Sequence, residues 1–245
     1  MLFDLDDTLF DHRHAARQAL TRVHQMHACF AARQFPLFED EHARVLEEMH
    51  RRVLAGEIGI DDARLERFRR LFEAAGGTAD DALLQETAMA YRHRYLETRR
   101  PVEGARELLA AVKPLARVAI VSNNLLDEQQ QKLRLCGFDL YVDELVVSEE
   151  AGSWKPDPAI FRIALARLGC EAAETVMIGD SWSADIEGAR AVGIRAIWFN
   201  PSAAEPLDPS IARIARWAPL APVLDAIFGA ARPRTAALAA DAQSS

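Results

Sequence analysis

The sequence predicts an α/β fold: a parallel sheet with helices on both faces, interrupted near its start by an all-helical insert. Three observations carry this reading. Residues 1–10 form a short apolar run that ends abruptly in acids, like the end of a buried strand. From about residue 12 to residue 100, Leu, Phe, Val and Ala recur at spacings of three and four, the period of helices. Beyond Pro101 short apolar runs at 118–121, 145–147, 175–178 and 196–199 alternate with amphipathic stretches of helical length, which is the pattern of βαβ units.

Taken in order, the insert reads as four helices near 12–33, 39–55, 61–75 and 79–97. Gly56 and Gly59 break between the second and third, Asp61 is placed to cap the third, Gly76 and Gly77 to end it, and Thr78 to cap the fourth. These helices are expected to form a separate cap over residues 15–99, leaving a Rossmann-like core made of residues 1–14 and 100–228. The last helix should end near Phe228, and residues 229–245, with Ala, Pro and Ser, read as a disordered tail.

The bulk composition narrows the partners. A chain of 245 residues with 50% hydrophobic and 27% charged residues can bury one large core or two smaller ones. A net charge of -8 argues against a basic surface for nucleic acid, so an anionic ligand needs a local cationic pocket. Cys29, Cys136 and Cys170 have no paired spacing, which suits unlinked thiols in a reducing, cytoplasmic setting. Acids at positions 4, 6 and 7 stand where a leader would carry basic residues. No apolar run approaches the roughly 20 residues of a membrane span, so no membrane partner is expected.

In an open parallel sheet, ligands bind at the carboxyl ends of the strands, so chemistry-bearing residues should follow the apolar runs. Four clusters do. Asp4 and Asp6, two residues apart beyond the first run, can share one pocket, where one carboxylate attacks phosphorus and the other carries a proton; an acidic turn that caps the next helix has the same letters. Ser122, Asn123 and Asn124 offer a hydroxyl and main-chain amides to a phosphoryl oxygen, and equally a common helix start. Lys155, held between Trp154 and Pro156, supplies a compact positive charge in a chain whose other lysines are only Lys113 and Lys132; a surface lysine before a Pro-started helix is the plainer reading. Gly179-Asp180-Ser181 with Asp185 five residues on suits a hard cation with oxygen ligands, or else a helix cap at Asp180 or Ser181. Each cluster alone is weak, but four in order at one sheet edge make chance alignment implausible.

At these residues, Asp4-Leu-Asp6-Asp7-Thr8, Ser122-Asn123-Asn124, Lys155-Pro-Asp157-Pro and Gly179-Asp180-Ser-Trp-Ser-Ala-Asp185, the chain resembles the haloacid dehalogenase (HAD) superfamily, in the branch with a helical C1 cap. The stretches Gly56-Glu57-Ile58, Arg64-Leu-Glu-Arg67-Phe68, Val147-Ser-Glu-Glu-Ala-Gly152 and Ala196-Ile-Trp-Phe-Asn200 look similar to its pyrimidine 5'-nucleotidase-like and N-acylneuraminate-9-phosphatase-like groups. The resemblance implies a Mg2+-dependent phosphatase acting on a small phosphate monoester, a nucleoside monophosphate or sugar phosphate, through an aspartyl phosphate. It implies Asp4 as nucleophile, Asp6 as general acid/base, Lys155 as the neutralising lysine, and Ser122 and Asn123 as phosphate contacts. Magnesium would be held by Asp4, the main-chain carbonyl of Asp6 and Asp180, with Asp185 in support, directly behind or through water. A cap closing over the sheet edge would exclude protein-sized substrates and point to metabolites, with the protein a monomer or homodimer.

Dehalogenases of this type lack the second acid, which Asp6 supplies here. Two alternatives stand beside the phosphatase: a sugar-phosphate phosphomutase, whose relatives usually carry Asp-Gly where this chain has Asp7-Thr8, and a catalytically silent binding protein of the same fold. Arg67, His12 and Phe68 are candidates to meet a sugar or base, although helical spacing also suits packing. Members usually carry several more apolar residues before the first acid than Met1, Leu2 and Phe3, so a longer chain is expected to be more stable and more active.

Overall fold

In the computed structural model, which describes residues 1–229, six parallel strands stand in the order β3-β2-β1-β4-β5-β6. They are β1 (Leu2–Phe3), β2 (Ala119–Ser122), β3 (Glu144–Val147), β4 (Val176–Gly179), β5 (Arg195–Phe199) and β6 (Ala212–Ile214). β1, β2 and β4 are buried at every position, as central strands covered on both faces must be, and their apolar runs show it. β6 was not expected. It is an edge strand, with Ala212 and Arg213 exposed and only Ile214 buried, so no apolar run marks it.

The strand order reverses direction at β1, whose neighbours are β2 on one side and β4 on the other. Leu2 lies level with Ala119 and Met177, and Phe3 with Ile120 and Ile178. One step further on, Asp4 donates its main-chain N–H to the carbonyl of Ile178 at 2.9 Å. The chain therefore delivers Asp4 to the switch point of the sheet, where loops on both sides diverge and leave a crevice.

Among the described residues the chain divides into two compact units, one holding Met1–Asp11 and residues 100–229, the other His12–Arg99. In the sheet unit the strands are joined by α6 (Ala105–Val112), α7 (Leu126–Cys136), α8 (Ser148–Ala151), α9 (Pro158–Leu168) and α10 (Gly188–Ala191), and α11 (Leu220–Phe228) follows β6. Its core packs Leu2, Val121, Val146, Phe161, Met177 and Ile186 together. Each such large apolar side chain stabilises the fold by about 1.5–3 kcal/mol when fully buried. α11 ends at Phe228, as the pattern predicts; of the tail read as disordered, residues 230–245 lie outside the described residues.

The helical unit contains α1 (His12–Met26), α2 (Ala28–Ala31), α3 (Phe35–Leu54), α4 (Ile60–Ala74) and α5 (Asp81–Glu97). Four helices were expected; the first is two, because His27 turns extended and its ring reaches the Thr87 hydroxyl at 2.9 Å. Phe30 stacks obliquely on Phe38 and Phe72, with ring centroids 4.7 and 4.5 Å apart, and ties three helices. The caps also differ from expectation. Gly59 precedes α4, with Asp61 inside its first turn, and Asp80 rather than Thr78 caps α5 by accepting from the Leu83 N–H at 2.9 Å. Asp80 wins because a carboxylate at the helix N-terminus satisfies an orphan N–H and meets the positive end of the dipole.

Candidate active site

Asp4 leaves β1 at the switch point and is 6% exposed. Its Oδ1 accepts from Lys155 Nζ at 2.6 Å and its Oδ2 from the Thr8 hydroxyl at 3.0 Å. Thr8 can reach back because the turn after Asp6 is tight: Asp7 takes a left-handed φ of 63° and donates to the Phe10 carbonyl. Trp217 closes the turn from below by donating its indole N–H to the Thr8 carbonyl at 3.0 Å.

Lys155 sits on the loop between α8 and α9 and is 4% exposed, so it is a buried lysine and not the solvated one its letters also allow. Its ammonium donates to Asp4 and, also at 2.6 Å, to Asp185 Oδ1. Asn123 sets its position: the side-chain amide donates to the Lys155 carbonyl at 2.8 Å and accepts from the Lys155 N–H at 2.6 Å. The side-chain amide of Asn123 is thus spent on the lysine loop.

The fourth cluster closes the group. Asp180 follows β4, and its main-chain carbonyl accepts from the Trp198 indole at 2.8 Å. The chain then makes a wide π-helical turn at Trp182–Glu187, a geometry common at functional sites. This turn carries Asp185 back under the strand end, fully buried, with Oδ2 accepting from the Ser181 N–H at 3.0 Å. Only glycine at 179 permits this, since a Cβ there would stand 2.2 Å from Asp185 Oδ2. Ser181 caps the turn by accepting from the Ala184 N–H, so the capping reading of Ser181 and the clustering of the acids hold together.

Ligand oxygens of Asp4, Asp180 and Asp185 lie within 4.8 Å of one another. One lysine ammonium pairs with two of these three carboxylates, Asp4 and Asp185, and an all-oxygen donor set of this charge fits a hard divalent cation. Both oxygens of Asp4 and both of Asp185 already accept hydrogen bonds. The electrostatics agree. Burial raises the Asp4 carboxyl well above its ordinary range, Lys155 opposes this, and Asp185 and Asp180 push it further up. At Lys155 burial works against the charged form, but Asp185 and Asp4 outweigh it and raise the ammonium above the ordinary lysine value.

Asp6 points to different company. Its carboxylate accepts from Lys132 Nζ at 2.6 and 2.8 Å, from Gln129 Nε2 at 2.9 Å and from Asn124 Nδ2 at 3.2 Å. Gln129 also donates to the Ser122 hydroxyl at 2.6 Å, so one buried amide links the Asp6 carboxylate to that hydroxyl. Lys132, 2% exposed and 5.1 Å from the Phe10 ring centroid, was not singled out as a site residue. The sequence held one signal for it: Gln129 and Lys132 are three apart on the helix that follows Ser122, so they share a face.

Comparison with known proteins follows this geometry. A family model described as haloacid dehalogenase-like hydrolase matches residues 1–193. The chain is 31% identical over 205 residues to the Bacillus subtilis protein YfnB, named a HAD-hydrolase, covering 82% of this chain and 83% of that one. It is 33% identical over 210 residues to a ribulose-1,5-bisphosphate 5-phosphatase of Halopiger xanaduensis, covering 82% and 84%. It is 27% identical over 218 residues to the human N-acylneuraminate-9-phosphatase, covering 86% of each chain. A crystal structure of YfnB bound to magnesium superposes with a TM-score of 0.73 at 27% identity, over 92% of this chain and 96% of that one.

Proposed function

Because the chain belongs to the haloacid dehalogenase-like hydrolase family, we propose that it is a magnesium-dependent phosphatase that transfers the phosphoryl group of a small phosphate monoester to Asp4 and then to water. The observation that carries this reading is the meeting of Asp4 after β1, Lys155 after α8 and Asp180 and Asp185 after β4, with Asp6 two residues beyond Asp4 and paired with Lys132. Sugar phosphates head the substrate class, because the relatives named above act on ribulose-1,5-bisphosphate and N-acylneuraminate 9-phosphate; nucleoside monophosphates follow.

Magnesium, held by Asp4, the Asp6 carbonyl and Asp180, would supply positive charge against the repulsion between carboxylate and phosphate dianion. The chain's own residues do the rest. Thr8 and Lys155 fix the two oxygens of Asp4, so the carboxylate meets phosphorus in one orientation. The Asp4–phosphorus bond forms as the ester bond to the leaving oxygen breaks, and Asp6 gives that oxygen its proton. Water then attacks phosphorus, its proton passes to Asp6, and the acyl phosphate bond breaks to return Asp4. Ser122 and the main chain of Asn123 hold phosphoryl oxygens without adding charge. Lys132, Gln129 and Asn124 keep the Asp6 carboxyl in place for both proton transfers.

The test is phosphate release from an aryl phosphate and from a panel of sugar phosphates and nucleoside monophosphates, with and without magnesium. Free phosphate from a panel member only when magnesium is present supports the reading. Return of the phosphoryl group to a second hydroxyl of the substrate would mean a phosphomutase, and no turnover at any magnesium concentration a silent binding protein.

A further inference from the structure

Arg67 of α4 is a buried cation that nothing in the helical unit neutralises. It is 7% exposed, and its Nε is shut away from solvent with no hydrogen-bond partner. Its guanidinium carbon stands 4.6 Å from the centroid of the Phe68 ring and 4.4 Å from that of Tyr91 on α5. Two aromatic faces hold the plane of the guanidinium but leave its N–H edge unused, since rings accept over their faces and guanidinium donates in its plane.

The neighbourhood makes this unusual for a structural arginine. Arg70, one turn along the same helix, pairs with Glu48 and Glu66, Arg69 with Asp81, and Arg64 with Asp61. Acids are therefore plentiful in this unit, yet among the described residues none pairs with Arg67, and no carbonyl accepts from it. Burial works against its charged form, and the nearby cations Arg64 and Arg92 do the same. A second polar atom is stranded beside it. His42 of α3 is 4% exposed, its ring lies 5.3 Å from Tyr91 and 6.5 Å from Phe68, and its Nε2 is buried without a partner. Burial, then Arg67 and His12, hold the His42 imidazole well below its ordinary value, so it is neutral.

An isolated buried charge is costly, and proteins keep one where a counter-charge arrives. We propose that the Arg67 guanidinium, clamped by Phe68 and Tyr91 and flanked by His42, is a binding site for a small oxyanion, a carboxylate or a phosphate group. The planar fork matches two oxygens of such a group at once, and His42 Nε2 adds a neutral hydrogen bond. All four of these residues belong to the helical unit.

The test is equilibrium titration of the full chain in chelator, by calorimetry, with malonate and with sulfate as probes. Saturable binding to the wild type that weakens at least about tenfold in Arg67→Met, is partly restored in Arg67→Lys, and is unchanged in Lys155→Met supports the site. The tighter probe identifies the group as carboxylate or tetrahedral oxyanion. Binding that Lys155→Met removes would belong to the sheet-edge site and overturn the proposal. So would no binding of either probe, or equal affinity in Arg67→Met. Thermal unfolding without probe separates packing from binding: the site reading expects Arg67→Met and Arg67→Gln to melt at or above the wild type. Lower melting of both with unchanged probe affinity would make Arg67 a packing residue.

Discussion

A carboxylate buried beside two other acids, as Asp4 is, is held at a cost to the fold, and that cost has a sign. The folded Asp4 carboxyl titrates above its ordinary value of 3.8, so the native state holds a proton that the unfolded state has released; stability is lost as pH rises from 3.8 through the folded value. Asp4→Asn removes that loss. In chelator at pH 7 it should melt a few degrees above the wild type, at about 2–4 °C per kcal/mol, and the difference should vanish below pH 3.8. The same variant should lose roughly 10⁴-fold or more in turnover. A lower melting temperature at pH 7 would mean that Lys155 already stabilises the charged carboxylate. Asp6→Asn should keep binding and reduce turnover by about 10²–10⁴-fold, measured as kcat with KM near wild type; near-normal turnover would remove Asp6 from the reaction. The clustering of Asp4 with Asp180 was legible because each directly follows the apolar run of a buried strand, and Lys155 and Asp185 join them from the turns beyond. Lys132 was not, since 126 positions separate it from the carboxylate it binds, and only folding brings that pair together.

At the scale of elements, the turn after β4 depends on one missing methyl group. Gly179→Ala drives a Cβ into the Asp185 carboxylate at 2.2 Å, against a side chain fixed by Lys155 and Ser181. We expect a loss of about 1–3 kcal/mol in denaturant unfolding and a fall in activity at least as large as that of Asp185→Asn. The cap of α5 offers a second check. Asp80→Ala should cost about 1 kcal/mol, whereas Thr78→Ala should be near neutral, because the Leu83 N–H is bonded to Asp80. Central strands were readable from sequence because burial on both faces demands continuous apolar runs. β6 was not, since two of its three residues face solvent, and neither was the break between α1 and α2, which depends on the pairing of His27 with a residue 60 positions away.

For the molecule as a whole, net charge and site charge point in opposite directions. A chain of net charge -8 has to attract a phosphate dianion, and Lys155 and Lys132 are the buried lysines among its described residues. These two ammonium groups are already matched by Asp4, Asp185 and Asp6, so the remaining positive charge has to come with the cation. Magnesium should therefore raise the melting temperature of the wild type, and should do so less in Asp180→Asn; equal shifts in both would place the ion elsewhere. The claim on which all of this depends is that phosphorus is transferred to one carboxylate at the end of β1. The direct measurement is to quench the enzyme during turnover, reduce any acyl phosphate with borohydride and locate the resulting homoserine by peptide mass spectrometry. Homoserine at position 4, formed only when substrate and magnesium are both present, is the predicted result. Turnover with no reducible acyl phosphate, or with one at another position, would contradict it.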